Sequence, residues 1–274
     1  MNLRLACTIL LTTPILWLSC NTGEKGTKQN LGYEETLAKR DSLHYKVKYF
    51  KDFSPYFSET EEGVDSTYFE GTFPVFTDSI NEMIKEAIFI NGEKDIYEVS
   101  DNFISAFNEF AEDVMDTATG YYGAWFLKQD CRVELNNGYF LTLVNNISEY
   151  TGGAHGMEVE LWYNYDLVQN TKLKLEDIIQ DSVQFRKLVE RHFRKHENLN
   201  DTSTYEGNYF FSKGEFILAD NFGFNNEGLI FHYNVYEIKA YAEGSTTLVI
   251  PYEELDGFLT ETGNRLRNSV VGIK

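Results

Sequence analysis

The alternation of apolar and polar positions along the chain predicts a protein rich in β-strands. Several stretches alternate with a period of two, or concentrate the aromatic and β-branched residues that strands favour. They cover residues 44–53, 67–76, 124–135, 139–148, 157–167, 228–233 and 246–250. The third and fourth stretches flank Asn137-Gly138, a dipeptide that favours a tight turn, so we expect a β-hairpin there.

Apolar residues three and four positions apart predict helices between these strands. Ile80, Ile84 and Ile88 share one face of a first helix, which Ser79 caps and Gly92 ends. Further helices are expected to begin near Ser100, Glu176, Ser182 and Pro251. Because strands and helices do not alternate regularly, the pattern indicates the α+β class, with helices packed on a mostly antiparallel sheet. Two consecutive subregions, before and after residue 150, are expected to share a core.

The start of the chain has the order of a bacterial export signal. Arg4 precedes an apolar run over residues 5–18, and the chain becomes polar directly after Cys20. The run is shorter than the roughly 20 apolar residues that a membrane-spanning helix needs. It therefore favours a secretory signal over a membrane anchor made of protein.

The residues around Cys20 favour a lipoprotein. The run ends in Trp-Leu-Ser-Cys, which is similar to a lipobox, although Trp17 stands where leucine is usual. We expect residues 1–19 to be the signal peptide, Cys20 to carry the lipid anchor, and residues 20–43 to form a flexible tether. A simple cleaved signal with a chance cysteine is the alternative.

Charge and cysteine content narrow the partners and the chemistry. The formal net charge is −19, which disfavours nucleic acid and anionic lipid surfaces and favours cationic proteins. We therefore expect no nucleic-acid partner, and membrane contact only through the lipid anchor. With Cys7 in the signal and Cys20 acylated, Cys131 has no disulfide partner, and its apolar neighbours predict a buried, unreactive thiol.

The most distinctive local feature is a glycine-rich loop at residues 150–156, Tyr-Thr-Gly-Gly-Ala-His-Gly. Glycine permits unusual backbone angles and the close approach of another backbone. The loop either presents His155 for binding or catalysis, or is a tight connection that the imidazole holds in place. A second feature is the aromatic-rich stretch over residues 231–244, which either lines a surface for a glycan or protein or packs in the core. The binding candidates are Tyr150, Gly152, Gly153, His155, Tyr236 and Tyr241.

Other catalytic chemistry has little support in the sequence. No common nucleophile, metalloprotease or nucleotide-binding motif is present, and no cofactor is expected. His192 and His196 share a helix face, which suits a metal, but cations at a helix end explain them as well.

The chain also resembles known families. Residues 152–155 (Gly-Gly-Ala-His), 162–167 and 173–178 are similar to the opening of the DUF3298 domain, and 228–231, 236–238, 241–244 and 250–255 to its close. The region before them, with Phe73-Pro74-Val75-Phe76, resembles the partner domain DUF4163. The resemblance implies a DUF4163-like region over 44–150, a DUF3298-like region over 151–262 and a C-terminal tail over 263–274.

This resemblance implies an extracytoplasmic module. It is similar to the outer part of a lysozyme-sensing anti-sigma factor and to the accessory region of a peptidoglycan deacetylase, without the deacetylase domain. We expect a lipid-anchored binding protein of the bacterial cell envelope, periplasmic or surface-facing, rather than an enzyme. Its expected partner is a cationic protein such as lysozyme, or a peptidoglycan fragment. A cell-wall hydrolase that uses His155 with a carboxylate, and a purely structural lipoprotein, are the alternatives.

Overall fold

The computed structural model describes residues 41–60, 63–77, 79–115, 123–180 and 182–272. The predicted signal peptide over residues 1–19, the predicted lipidation site Cys20 and most of the predicted tether lie outside this part of the chain. The described residues belong to one compact unit. Its α+β architecture agrees with the class expected from the sequence.

A six-stranded sheet forms the first half of the molecule. Its strands lie in chain order and are β1 (Tyr45–Thr60), β2 (Gly63–Phe76), β3 (Phe126–Asn136), β4 (Phe140–Tyr150), β5 (Met157–Asp166) and β6 (Thr171–Lys172). All neighbours are antiparallel except β2 and β3, which are parallel. The predicted hairpin is confirmed as β3–β4, and Gly138 adopts a φ of +80° in its turn.

Two helices, α1 (Lys85–Ile88) and α2 (Ile96–Met115), lie in the connection between β2 and β3 and pack on one face of the sheet. On the sheet, Phe69 packs against Ile96 and Phe103 of α2, and Leu143 belongs to the cluster that contains Ile84. Register shifts after Phe53 in β1 and after Val133 in β3 interrupt the regular alternation of side chains between the two faces of the sheet.

The first predicted helix is wrong in its extent. Residues Ser79–Glu82 form a 3-10 turn, and only the short α1 follows. The amide of Asn81 explains the break, because its Oδ1 accepts a hydrogen bond from Phe76 N and its Nδ2 donates to Phe76 O. Ile80, Ile84 and Ile88 are nevertheless buried, as the spacing predicted.

The second helix begins one turn earlier than Ser100. Asp95 caps it, since Asp95 Oδ1 accepts from Glu98 N at 3.0 Å. The Ser100 hydroxyl instead donates to Asp52 on β1, 3.0 Å away, and ties the helix to the sheet.

The second half of the molecule is built on a three-stranded antiparallel sheet. It comprises β7 (Phe222–Phe224), β8 (Gly228–Tyr233) and β9 (Thr246–Pro251), with helices α3 (Leu175–Ile178), α4 (Val183–His196) and α5 (Glu261–Val271). Ser182 caps α4 as predicted, with its Oγ accepting from Phe185 N. Phe193 is fully buried at the centre of this half, among the rings of Tyr205, Phe211 and Tyr233.

The last helix begins later in the chain than the predicted start near Pro251. Only a 3-10 turn, Tyr252–Glu254, follows Pro251, whereas α5 occupies much of the expected tail. Thr260 caps α5 by accepting from Gly263 N at 3.1 Å. A side chain at Gly263 would collide with the carbonyl of Ile178, so a residue that weakens the helical pattern is required by packing.

The two halves share a core. Leu135 and Phe140, from the first sheet, belong to the same buried cluster as Phe231 and Phe193. At the junction, Asn164 Nδ2 donates to Phe222 O at 2.8 Å. The shared core expected from the sequence is therefore confirmed.

Candidate functional site

The glycine-rich loop connects β4 to β5 at one end of the long sheet. Gly152 and Gly153 both have positive φ, +101° and +93°, which a side chain would strain. A Cβ at Gly156 would lie only 2.7 Å from Glu149 O. The Tyr150 hydroxyl donates to Gly153 O at 3.0 Å and holds the loop over its own strand. The glycines thus serve the turn, as one of the two interpretations of the loop expected.

His155 projects from this loop into a group of aromatic rings and is exposed. Its Nδ1 lies 2.9 Å from Gly156 O, and because a carbonyl only accepts, Nδ1 carries the proton. Nε2 is then an acceptor and faces the Tyr236 hydroxyl at 3.3 Å. The imidazole stacks on Tyr241 with 4.0 Å between centroids and 14° between planes.

Tyr236 completes the group, and its backbone is strained. Its φ is +66°, a left-handed conformation that costs a bulky residue about 1–2 kcal/mol. Its ring is 46% exposed and lies 5.3 Å from that of Tyr241, centroid to centroid. Strain of this kind, held by an exposed aromatic residue, is typical of functional sites. We call His155, Tyr236 and Tyr241 the ring cluster.

The turn that carries Tyr236 is fixed by a carboxylate. Glu237 Oε2 accepts from Asn234 N at 2.8 Å, and Glu237 N donates to Asn234 O at 3.1 Å. Burial raises the pKa of Glu237, against the opposing effect of the backbone hydrogen bond from Asn234. The Asn234 side chain in turn accepts from Glu160 N at 2.7 Å and joins the turn to β5.

A polar cleft of about 210 Å³ is lined in part by chain neighbours of the ring cluster. Its lining includes Ser148, Glu158, Glu160, His232, Asn234 and Ser245. It meets the cluster along the chain at two points. Asn234 lies two residues before Tyr236, and Ser245 follows the 3-10 turn Tyr241–Glu243.

A buried histidine forms one wall of the cleft. His232 is 4% exposed, and its Nδ1 lies 2.7 Å from Thr247 Oγ1 and 3.3 Å from Glu160 Oε1. Burial lowers the pKa of His232, while the negative charge of Glu160 opposes the shift. Glu160 also accepts from Trp162 Nε1 at 2.8 Å. The cleft thus offers sugar hydroxyls or amides both acceptors and a fixed, polar wall.

The structure brings together the candidates predicted from the sequence. Tyr150, Gly152, Gly153 and His155 occupy one loop, and Tyr236 and Tyr241 come to it from the second half. Glu160 and His232, which line the cleft, were not among the candidates predicted from the sequence. The alternating acidic residues at the start of β5, and a histidine inside the apolar β8, were the available signals.

The two histidines considered as metal ligands, His192 and His196, lie outside this site and contact different carboxylates. His192 Nε2 lies 3.1 Å from Glu254 Oε2, and His196 Nε2 lies 3.9 Å from Glu197 Oε1. The part of the chain that the structure describes contains no group of three or more His, Cys, Asp or Glu side chains arranged to hold a metal. Cys131 is 3% exposed, and burial raises its pKa to about 12, which confirms a buried, unreactive thiol.

Two protein-family models match the chain. Residues 167–253 match DUF3298, described as a protein of unknown function, and residues 60–158 match Deacetylase PdaC. The predicted resemblance to DUF3298 is confirmed over residues 167–253, and residues 60–158 are similar to the PdaC family. The DUF4163 resemblance stays a prediction. A search of curated proteins found no match.

Solved structures of the DUF3298 family have the same fold. One, from Bacteroides fragilis, is 22% identical, covers 84% of this chain and 99% of its own, and superposes with a TM-score of 0.63. Another, from Pseudomonas aeruginosa, is 18% identical, covers 82% and 97% respectively, and gives a TM-score of 0.60. No helix among the described residues is long and apolar enough to cross a bilayer.

Proposed function

We propose that this protein is a lipid-anchored binding module of the bacterial cell envelope that recognises an uncharged cell-wall glycan at the ring cluster. Its export and the anchor at Cys20 rest on the sequence of the first twenty residues. The observation that carries the binding role is an exposed, stacked group of rings on a strained backbone, next to a polar cleft.

The ring cluster and the cleft together can contact both the apolar face and the polar groups of a sugar. The C–H-rich face of a sugar ring packs on an aromatic ring, and Tyr236 and Tyr241 supply such rings at the surface. Sugar hydroxyl and acetamido groups need donors and acceptors, which Ser148 and Ser245 supply in the cleft. The match to a family named for a deacetylase supports a relation to acylated substrates.

The hydrolase alternative has less support. Among the described residues, no carboxylate is hydrogen-bonded or ion-paired to His155, whose two ring nitrogens face Gly156 O and the Tyr236 hydroxyl. A general base at this position needs a free nitrogen and an oriented partner. The geometry therefore favours binding.

A cationic protein such as lysozyme is the second candidate partner. The observation in its favour is the net charge of −19, which accelerates the encounter with a basic protein. Charge alone gives no affinity, so this candidate rests on a long-range effect rather than on a described contact.

The test is calorimetric titration of the full chain with a short N-acetylglucosamine oligomer. Wild type is expected to bind, and Tyr241→Ala to bind at least tenfold more weakly, about 1.4 kcal/mol. The control is Tyr97→Ala, which removes a more exposed tyrosine from α2, on the helix side of the sheet. Absence of binding by wild type, or equal binding by Tyr241→Ala, would refute the proposed function.

A further inference from the structure

Four rings form a row across the long sheet, on the face opposite α1 and α2. The register pairs Phe53 with Tyr68, Tyr68 with Phe126, and Phe126 with Tyr150, so the row crosses β1 to β4. The three centroid distances are 6.1, 6.1 and 5.9 Å, and the last two pairs are nearly parallel, at 22° and 25°. Phe53, at the edge, is 53% exposed. We call these residues the ring row.

Polar side chains with both donors and acceptors run alongside the ring row. Two residues along each strand, on the same face, the register places Lys51 opposite Glu70, Glu70 opposite Lys128, and Lys128 opposite Ser148. Lys51 Nζ lies 4.4 Å from the centroid of Tyr68 and 3.0 Å from Glu70 Oε2. Lys128 Nζ lies 5.4 Å from the centroid of Phe126.

The charges on this face nearly cancel. Glu70 compensates Lys51, and Asp130 lies two residues from Lys128 on the same face of β3. The chain as a whole is strongly acidic. A polyanion would therefore gain little from the two lysines, whereas an uncharged polymer can use them, with Glu70, as hydrogen-bonding partners.

The ring row leads directly to the ring cluster. Tyr150 ends the row, and its hydroxyl donates to Gly153 O in the loop that presents His155. His155 then stacks on Tyr241. The glycine-rich loop thus joins the end of the ring row to the ring cluster, which places both beside one another for an extended ligand.

We propose that the ring row is a second contact surface for the same ligand, so that the protein binds a linear, uncharged glycan over several sugar units rather than one terminal sugar. This inference rests on the proposed function, because the ring cluster is the first contact. Cross-strand pairs of rings also stabilise a sheet. A test therefore needs a readout that sheet stability alone does not move, namely the dependence of affinity on ligand length.

The experiment measures the affinity of the full chain for an N-acetylglucosamine disaccharide and for a hexasaccharide. Wild type is expected to bind the hexasaccharide at least tenfold more tightly. Tyr68→Thr and Phe53→Thr keep a strand-forming residue and are expected to lose this gain while binding the disaccharide normally. Tyr241→Ala loses affinity for both ligands, and Tyr97→Thr, the control, changes neither.

The outcomes separate the two proposals. The ring row is refuted as a contact surface if wild type binds the hexasaccharide no more tightly than the disaccharide. It is also refuted if both threonine variants keep the full gain in affinity. In either case the proposed binding at the ring cluster is unaffected. Absence of binding to either oligomer overturns both. If the variants lose disaccharide affinity together with thermal stability, the rings have only a structural role and the inference is also overturned.

Discussion

Tyr236 lowers the stability of the fold through its backbone conformation and contributes its ring to the proposed binding site. Its left-handed backbone opposes folding, while its hydroxyl and ring contact His155 and Tyr241. Asparagine tolerates this conformation far better than tyrosine does. The strain persists because the turn around it is fixed by Glu237 and Asn234.

Replacing Tyr236 with asparagine is expected to distinguish the effect of backbone strain on stability from the effect of losing an aromatic ring. Tyr236→Asn and Tyr241→Asn each remove one ring of the cluster, but only Tyr236 has a positive φ. Tyr236→Asn should therefore be more stable than Tyr241→Asn by about 1 kcal/mol, and both should bind glycan weakly. Urea unfolding measures the difference, and a Tyr236→Asn variant that is no more stable than Tyr241→Asn would contradict the assignment of strain.

His232 gives the cleft a dependence on pH. Burial lowers its pKa below the ordinary value of 6.5, so the unfolded chain binds a proton more readily than the folded one. The stability associated with the neutral imidazole is present above pH 6.5 and decreases as the pH falls through that value towards the lower, folded-state pKa.

The thermal midpoint should therefore fall more between pH 7.5 and pH 5.5 in wild type than in His232→Gln. His44→Gln, which removes an exposed histidine, serves as the control and should follow wild type. Differential scanning calorimetry at the two pH values provides the measurement. If wild type instead gains stability relative to His232→Gln at the lower pH, Glu160 outweighs burial and the direction given for His232 is wrong.

At the scale of elements, local signals succeeded where the decisive contacts are local. Asn137-Gly138 fixes the β3–β4 turn through its own backbone, and Ser182 caps α4 three residues away. The predictions were wrong where a residue distant in the chain determines the local structure. Ser100 resembles a cap but serves Asp52, 48 residues earlier. Gly263 weakens the pattern of α5, yet packing against Ile178 requires it.

The same distinction explains the candidate site. The glycine-rich loop could be predicted because its residues are consecutive, and the aromatic stretch around Tyr236 because its aromatic residues lie close together in the chain. The ring row was not predicted, since it combines β1, β2, β3 and β4 through a parallel pairing that no local pattern specifies. The position of Glu160 against His232 likewise depends on how the halves pack.

The junction between β5 and β7 depends on one glycine. A Cβ at Gly223 would collide with the indole of Trp162, which is held by its hydrogen bond to Glu160. Gly223→Ala is expected to lower the free energy of unfolding by about 1–3 kcal/mol, because the halves must separate or the indole must move. Chemical denaturation tests this value.

Gly123→Ala provides the matched control, since the space around Gly123 is open. It should change stability by less than about 0.5 kcal/mol. Equal unfolding free energies for the two variants would show that the contact between Trp162 and Gly223 does not restrict the junction.

At the scale of the whole molecule, binding through net charge and binding through the rings are expected to depend differently on salt concentration. The charge of −19 acts at long range on charged partners, whereas the ring cluster and ring row act by contact. Affinity for an uncharged glycan should change less than about twofold between low and physiological salt, because no charge on the ligand is screened. Any association with a c-type lysozyme should weaken markedly over the same range. Calorimetry at the two salt concentrations decides, and a steep loss of glycan affinity with salt would contradict contact-driven binding.

The most direct test of the central claim is nuclear magnetic resonance of the aromatic and imidazole rings during titration with an N-acetylglucosamine oligomer. The ring signals of His155, Tyr236 and Tyr241 should shift together and saturably, while those of Tyr205 and Tyr209, which pack against Phe193, stay unchanged. Saturable shifts confined to the ring cluster and its neighbours would support recognition of a glycan there. Unchanged signals from the cluster, with or without shifts elsewhere, would contradict it.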